Sequence, residues 1–175
     1  VFAGAQVGAA HPDDQLGAAN LITPQKRKAA AALVRTGVSI SLARQLKILA
    51  SATDNPFTMQ ATTNAGGFAS DRIEMAFHGV QITHMDALCH FSYNGKTYNG
   101  FAFEDVVTKE GGCSKLSIGN MKDRLVTRGI LIDIPRLKGL PYLEPGTHVY
   151  REDLEAWEKR AGVKIGPGDA ILLRT

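Results

Sequence analysis

The apolar run at residues 129–134 is the sequence feature that most constrains the fold. Its residues, Gly-Ile-Leu-Ile-Asp-Ile, are nearly all apolar and the run stops at Pro135, which predicts a strand. A helix is predicted at residues 151–160, because its first turn is acidic and a glycine follows its end. Strands and helices are therefore mixed in this chain, without strict alternation and without an internal repeat.

The last residues predict two more strands. Residues 163–165 and 170–175 are apolar and flank the turn sequence Gly-Pro-Gly-Asp at 166–169. A domain seldom stops within an apolar strand, because the fold usually continues and covers it. We therefore expect this chain to be part of a longer one.

The first half predicts a helix at residues 20–37, with Thr23 as its N-cap and Pro24 at its first position. Period-two alternation predicts strands at residues 38–42 and 73–77. The apolar phase flips at His78-Gly79, as in a β-bulge. Two further segments complete the prediction, a long surface loop at residues 51–70 and a short helix at residues 121–127 capped by Asn120.

Composition excludes several classes of protein. The 175 residues suit one domain, and the net charge of +3 is spread without a long basic block, so we expect no nucleic-acid partner. No run of 18 apolar residues exists, so we expect no membrane-spanning segment. The two cysteines, Cys89 and Cys113, cannot form a disulfide framework, which favours free thiols and a reducing, cytoplasmic location.

Three of the five histidines lie within thirteen residues. His84 and Asp86 are two apart, so both project from one face of an extended segment. Asp86 and His90 are four apart, so a helical turn starting near Asp86 would bring them together. Imidazole nitrogens and carboxylate oxygens suit zinc or manganese, and a metal ion can generate a nucleophilic water at neutral pH. The alternative is a set of polar residues at a strand end that bond to the backbone.

The remaining candidates are weaker. Cys89, between Asp86 and His90, is a possible ligand or nucleophile, but a buried structural cysteine is favoured because a helix would turn it about 100° away from His90. His148 follows Thr147 without an acid two residues on, which favours a structural or surface role. His11 reads as a solvated N-terminal residue. No serine nucleophile elbow, CxxC pair or phosphate-binding glycine loop competes with the histidine cluster.

The sequence resembles the metal-dependent cyclase family, which includes bacterial kynurenine formamidase, isatin hydrolase and trans-dienelactone hydrolase. The family motif is His-x-Gly-Thr-His-x-Asp-x-Pro-x-His, and Thr83-His84-x-Asp86-x-x-x-His90 matches its second half. Further blocks resemble the longer members of the family, at residues 13–24, 98–100, 128–134 and 166–175. The chain departs from the motif at Val80, where the family has its first histidine, and at Leu88, where it has proline.

The resemblance implies a fold, an activity and a set of site residues. It implies an α/β fold of the swivelling β/β/α type, with residues 1–175 as the N-terminal portion of a longer domain whose C-terminal ligands are absent here. It also implies homo-oligomers and a small-molecule substrate. The implied activity is hydrolysis of an amide, lactone or related cyclic carbonyl by a metal-activated water. His84 and Asp86 would bind a divalent metal, zinc or manganese, with His78 as a further candidate ligand.

His90 is implied as general base and then general acid in this reaction. Two alternatives stay open at this point. One is a non-catalytic metal- or ligand-binding relative, or an inactive fragment of such an enzyme. The other is a Cys89 nucleophile paired with His90.

Overall fold

The computed structural model describes residues 11–46, 57–78 and 82–175, and the chain divides into two compact units. The first unit comprises Val1–Gly37 and Ala87–Thr175, and the second comprises Val38–Asp86. Both helices and strands occur, so the predicted mixture is confirmed. Among the described residues, no helix is both long enough and apolar enough to cross a membrane.

The C-terminal part of the first unit is a parallel strand pair covered by helices. Strand β5 (Gly129–Asp133) pairs with β6 (Ala170–Arg174), so the strands predicted at both places are confirmed. Parallel strands need a long crossover, and here two helices lie between them in the chain, α3 (Ile134–Lys138) and α4 (Arg151–Ala161). Residues 163–165, predicted as a strand, do not form one. The strand that pairs with β5 is β6.

The helix α4 matches its sequence prediction closely. The Asp153 carboxylate accepts a hydrogen bond from the backbone N–H of Tyr150 at 2.9 Å, and Gly162 ends the helix in the left-handed conformation. Trp157 points into the unit and donates its indole N–H to the Leu131 carbonyl at 2.8 Å. A buried core forms there from Ile130, Ile132, Ile134 and Trp157.

A second core of the first unit lies around short elements in the middle of the chain. These are helix α2 (Phe103–Val106) and the small antiparallel pair of β3 (Val107–Thr108) and β4 (Gly112–Cys113). Three 3-10 helices accompany them, at Leu88–His90, Tyr98–Gly100 and Ile118–Met121. The last is capped by the Ser117 side chain and ends at Met121, so the helix predicted at residues 121–127 with an Asn120 cap is wrong. The buried residues of this core are Ala87, Cys89, Val106 and Leu116.

The N-terminal helix is shorter than its sequence predicts. A 3-10 helix at Gly17–Leu21 precedes α1 (Pro24–Ala31), which begins with Pro24 and is capped by Thr23 as predicted. The predicted extension to residue 37 is wrong, and Leu33 and Val34 beyond the helix are largely exposed. The helix buries no apolar face, and intrinsic helix propensity by itself does not stabilise an extension of so short a helix.

The second unit is built on an antiparallel hairpin. Strands β1 (Phe57–Thr63) and β2 (Ala69–Met75) pair from Phe57 opposite Met75 to Thr63 opposite Ala69. The turn is closed by the Asn64 side chain, which accepts hydrogen bonds from the backbone N–H groups of Gly66 and Phe68.

The hairpin corrects two predictions. Most of residues 57–70 form strands rather than the predicted loop, and the strand predicted at residues 73–77 ends at Met75. Both strands are exposed almost throughout, and only residues 73–75 at the end of β2 show the apolar alternation that predicts a strand. Residues 38–42, predicted as a strand, are exposed and form none. Residues 51–56 and the Gly79 position of the predicted bulge lie outside the described residues.

Candidate metal centre

His78, His84 and Asp86 come together in the second unit. Each offers one ligand atom, and these three atoms lie within 4.8 Å of one another. Nδ1 of His78 is 3.0 Å from Oδ1 of Asp86, and Nε2 of His84 is 3.4 Å from the same oxygen. The sequence-predicted ligand set is therefore one spatial cluster, with two imidazoles facing one carboxylate.

The backbone orients the His84 ring. Its Nδ1 lies 2.7 Å from the carbonyl oxygen of Ile82, which can only accept a hydrogen bond, so this nitrogen carries a proton. In the neutral ring Nε2 then holds a lone pair, and that lone pair faces Asp86. Histidine ligands of metals are commonly held this way, with the second ring nitrogen donating to a carbonyl or carboxylate.

The contact between Nε2 of His84 and the Asp86 carboxylate is favourable when a positive charge lies at that nitrogen. The Nε2 lone pair of neutral His84 and the Asp86 carboxylate repel one another unless a proton or a metal cation lies at that nitrogen. Two imidazole nitrogens and one carboxylate oxygen are the donors that zinc and manganese accept. The residues present therefore fit a divalent metal.

The three side chains differ in exposure. The His84 side chain is 17% exposed, whereas those of His78 and Asp86 are 52% and 59% exposed. Phe77 contacts both rings, with its centroid 4.6 Å from that of His78 and 5.7 Å from that of His84. The cluster thus has one sheltered, fixed ligand and a side open to solvent.

His90 belongs to the first unit, where it is exposed at the end of the 3-10 helix Leu88–His90. The helical turn predicted to start near Asp86 is not formed, because Ala87 is extended (φ −76°, ψ 153°) and the helix starts one residue later. Val80, at the position of the family's first histidine, lies outside the described residues.

Cys89 and Cys113 form a disulfide, which contradicts the predicted free thiols. Their Cα atoms are 6.3 Å apart, within the range that a disulfide spans. The prediction of free thiols was wrong because it rested on the small number of cysteines. The two cysteines are 24 residues apart, and the sequence gives no sign that the fold brings them together. The argument for a reducing compartment loses its support. Cys89 is nevertheless fully buried, as predicted.

The other two histidines, His11 and His148, belong to the first unit. His11 is exposed and accepts a hydrogen bond from the backbone N–H of Asp13 at 3.2 Å. His148 is exposed, with its ring 5.9 Å from that of Tyr150. Both agree with the surface roles expected for them.

Sequence reasoning gave no role to the charged group of Asp14, which is buried in the first unit. Burial by itself would raise the pKa of Asp14, but hydrogen bonds from the Asn20 and Tyr98 side chains and from two backbone N–H groups lower it. Burial, together with the hydrogen bond and charge of Asp14, raises the pKa of Tyr98 to about 12. Asp14 therefore links two of the family-like sequence blocks, residues 13–24 and 98–100.

Comparison with known proteins adds an independent observation. The sequence model of a family described as "Putative cyclase" matches residues 38–175. A solved structure described as a crystal structure of a novel cyclase is similar, with 35% sequence identity and a TM-score of 0.82. The match covers 96% of this chain and 60% of that one, so the chain spans about three fifths of its length. No curated protein matches the sequence.

Proposed function

Because this chain belongs to the cyclase family, we propose that it is a metal-dependent hydrolase. The proposed substrate is a small molecule with an amide, a lactone or a related cyclic carbonyl. The resemblance of the His84–His90 segment to the family motif supports the choice of a metal-dependent hydrolase within the cyclase family.

The single observation that carries the proposal is the convergence of His78, His84 and Asp86 on ligand atoms within 4.8 Å of one another. His84 and Asp86 are the proposed metal ligands. His78 is the proposed third ligand, and its 3.0 Å approach to the Asp86 carboxylate supports that assignment. Zinc and manganese both suit these donors.

The proposed chemistry divides between the metal and the chain. A divalent cation would supply a Lewis acid for the carbonyl and a water that is nucleophilic at neutral pH. The Ile82 carbonyl holds the His84 ring with Nε2 available as a ligand. His90 is the proposed proton carrier, taking a proton from water and passing it to the leaving group, a role for which imidazole is suited because it titrates near neutral pH.

A homo-oligomer remains part of the proposal as an implication of the family, and so does the swivelling β/β/α fold. A cytoplasmic location is not part of it, because the free thiols that supported it are joined as a disulfide. A Cys89 nucleophile is also set aside, since its sulfur is bonded to Cys113 and the residue is fully buried.

Metal binding without turnover is the second candidate function. The observation that favours it is Val80, which stands where the family motif has its first histidine. The two candidates differ in one measurable property, turnover by a metal-loaded chain.

The test combines elemental analysis with turnover of a panel of small amides and lactones. We expect about one divalent metal per chain in the wild type. Asp86→Ala should lose metal and turnover together. His90→Ala should keep the metal while turnover falls about 10²–10⁴-fold, the usual contribution of a general acid or base.

Asp71→Ala is the matched control, because Asp71 is an exposed carboxylate on β2 of the same unit. It should retain both metal and turnover. Full turnover in both Asp86→Ala and His90→Ala would rule out the proposed mechanism. Metal lost on Asp86→Ala but no turnover by the loaded wild type would favour the second candidate.

A further inference from the structure

A second set of metal-ligating side chains lies in the first unit and shares no residue with the candidate metal centre. Cys89, His90 and Cys113 each place one ligand atom within 4.8 Å of the other two. The two cysteines are joined as a disulfide. In that form neither sulfur is a thiolate, and only a thiolate is a strong metal ligand.

The backbone holds the two cysteines near each other by contacts other than the disulfide. The N–H of Cys89 donates to the Leu116 carbonyl at 3.4 Å. Cys113 lies on β4 opposite Val107, and the N–H of the next residue donates to the Val106 carbonyl at 2.8 Å. Cys113 also packs against the buried core that contains Cys89. These contacts would hold the two sulfurs near each other after the bond between them is broken.

Exposure is graded across the set. Cys89 is fully buried, Cys113 is half-buried and His90 is exposed. Cys113 is therefore the more accessible of the two cysteines, and His90 is the most accessible of the three residues.

We propose that Cys89, Cys113 and His90 form a redox-gated site for zinc or a similar thiophilic divalent ion. Two thiolates and one imidazole are a donor set typical of zinc, with the fourth position taken by water. It differs in kind from the nitrogen and oxygen donors of His78, His84 and Asp86. The site stands on these three residues, and His90 among them is also the proposed proton carrier of the hydrolysis, so a metal ion bound here would occupy that imidazole.

The gating step is thiol–disulfide exchange with a dithiol. A thiolate of the dithiol attacks Sγ of Cys113, the bond between the cysteines breaks, and Cys89 leaves as a thiolate. The second thiol of the reductant then displaces Cys113 and closes the reductant's own disulfide. The dithiol is oxidised by two electrons, its two protons pass to the cysteines, and both protons are released when the metal binds.

Cobalt(II) is the probe, because thiolate ligands give it an intense charge-transfer absorption in the near ultraviolet that nitrogen and oxygen ligands lack. The protein is reduced with a dithiol, freed of reductant under nitrogen and titrated with Co²⁺. We expect the thiolate band only after reduction. Blocking with a thiol reagent before reduction should modify neither cysteine, and after reduction it should modify Cys113, the more exposed of the two.

Variants assign the ligands. His90→Ala should weaken Co²⁺ binding, read from the thiolate band, about tenfold or more. Cys113→Ser should reduce the band itself and abolish its dependence on reductant. His148→Ala is the matched control for an exposed histidine, and Asp86→Ala tests independence from the other centre. Both should leave the band unchanged, and circular dichroism verifies that each variant is folded.

The proposal is overturned by any of three results. These are a folded, reduced wild type without a thiolate–cobalt band, a His90→Ala variant that binds Co²⁺ as tightly as the wild type, and reagent access to both cysteines before reduction. Loss of the thiolate–cobalt band in Asp86→Ala would also overturn the proposal, because it would show that the two metal sites are not independent.

Discussion

At the residue scale, the Asp169 carboxylate is paired with two cations, Arg128 and Lys26. Its side chain is fully buried, and its carboxylate accepts hydrogen bonds from Arg128, Lys26 and the backbone N–H of Gly166. The hydrogen bond from Arg128, followed by that from Lys26, holds the pKa of Asp169 well below its usual range, although burial opposes this. One carboxylate therefore joins helix α1 to the turn before β6.

The account predicts that Asp169→Asn destabilises the protein and that the effect depends on pH. Because the pKa of Asp169 is lower in the folded state than in the unfolded chain, its stabilisation is fully present above the ordinary carboxyl pKa of about 4. It is lost as pH falls below that value toward the lower folded pKa. Near neutral pH we expect a cost of about 2–3 kcal/mol, since the variant leaves two cations partly buried without their partner.

Urea unfolding of wild type and variant between pH 7 and pH 3 measures this difference. The gap in free energy of unfolding should narrow as pH falls below about 4. Asp123→Asn, which changes an exposed carboxyl of the same unit, should stay within about 0.5 kcal/mol of wild type. A gap for Asp169→Asn that is constant across this range would contradict the assigned pKa direction.

At the element scale, β5 alternates between buried and exposed positions although its sequence is almost uniformly apolar. Ile130 and Ile132 are buried under α3 and α4, whereas Leu131 is 56% exposed. Strands of parallel sheets have apolar residues on both faces because both faces are usually covered. In the described residues only one face of β5 has such a cover.

The two faces of β5 predict different mutational costs. Ile132→Ala should lower the free energy of unfolding by roughly 2–4 kcal/mol, because it leaves a cavity beside Trp157 and Ile134. Leu131→Ala changes the neighbouring residue of the same strand and should cost well under 1 kcal/mol, because that side chain is already largely hydrated. Chemical denaturation measures both, and equal costs would show that the exposed face is covered in solution.

The sequence predicted the buried elements of the fold better than the exposed ones. The prediction of α4 and β5 was confirmed because capping residues and an apolar run mark a buried element directly. Only residues 73–75 at the end of β2 were predicted as strand, and the rest of the hairpin was missed because its strands bury almost nothing and no apolar alternation marks it. In the site, spacing predicted that His84 and Asp86 converge, but the lock of His84 on the Ile82 carbonyl and the disulfide of Cys89 depend on backbone geometry that spacing does not encode.

At the scale of the whole molecule, the chain carries two distinct donor sets in its two units. The proposed ligands His78, His84 and Asp86 belong to the second unit, and the sulfur-containing set belongs to the first. The family match covers both units, from residue 38 to residue 175. The chain spans 60% of the similar solved cyclase, so complete activity is assigned here only as a proposal.

The central claim is that His78, His84 and Asp86 hold a divalent metal, and anomalous diffraction from metal-loaded crystals tests it most directly. Data collected above and below the absorption edge of zinc should show one strong peak in contact with Nε2 of His84 and the carboxylate of Asp86. Bond lengths should be about 2.0–2.2 Å. A fully loaded crystal whose anomalous density lies away from both residues would contradict the account.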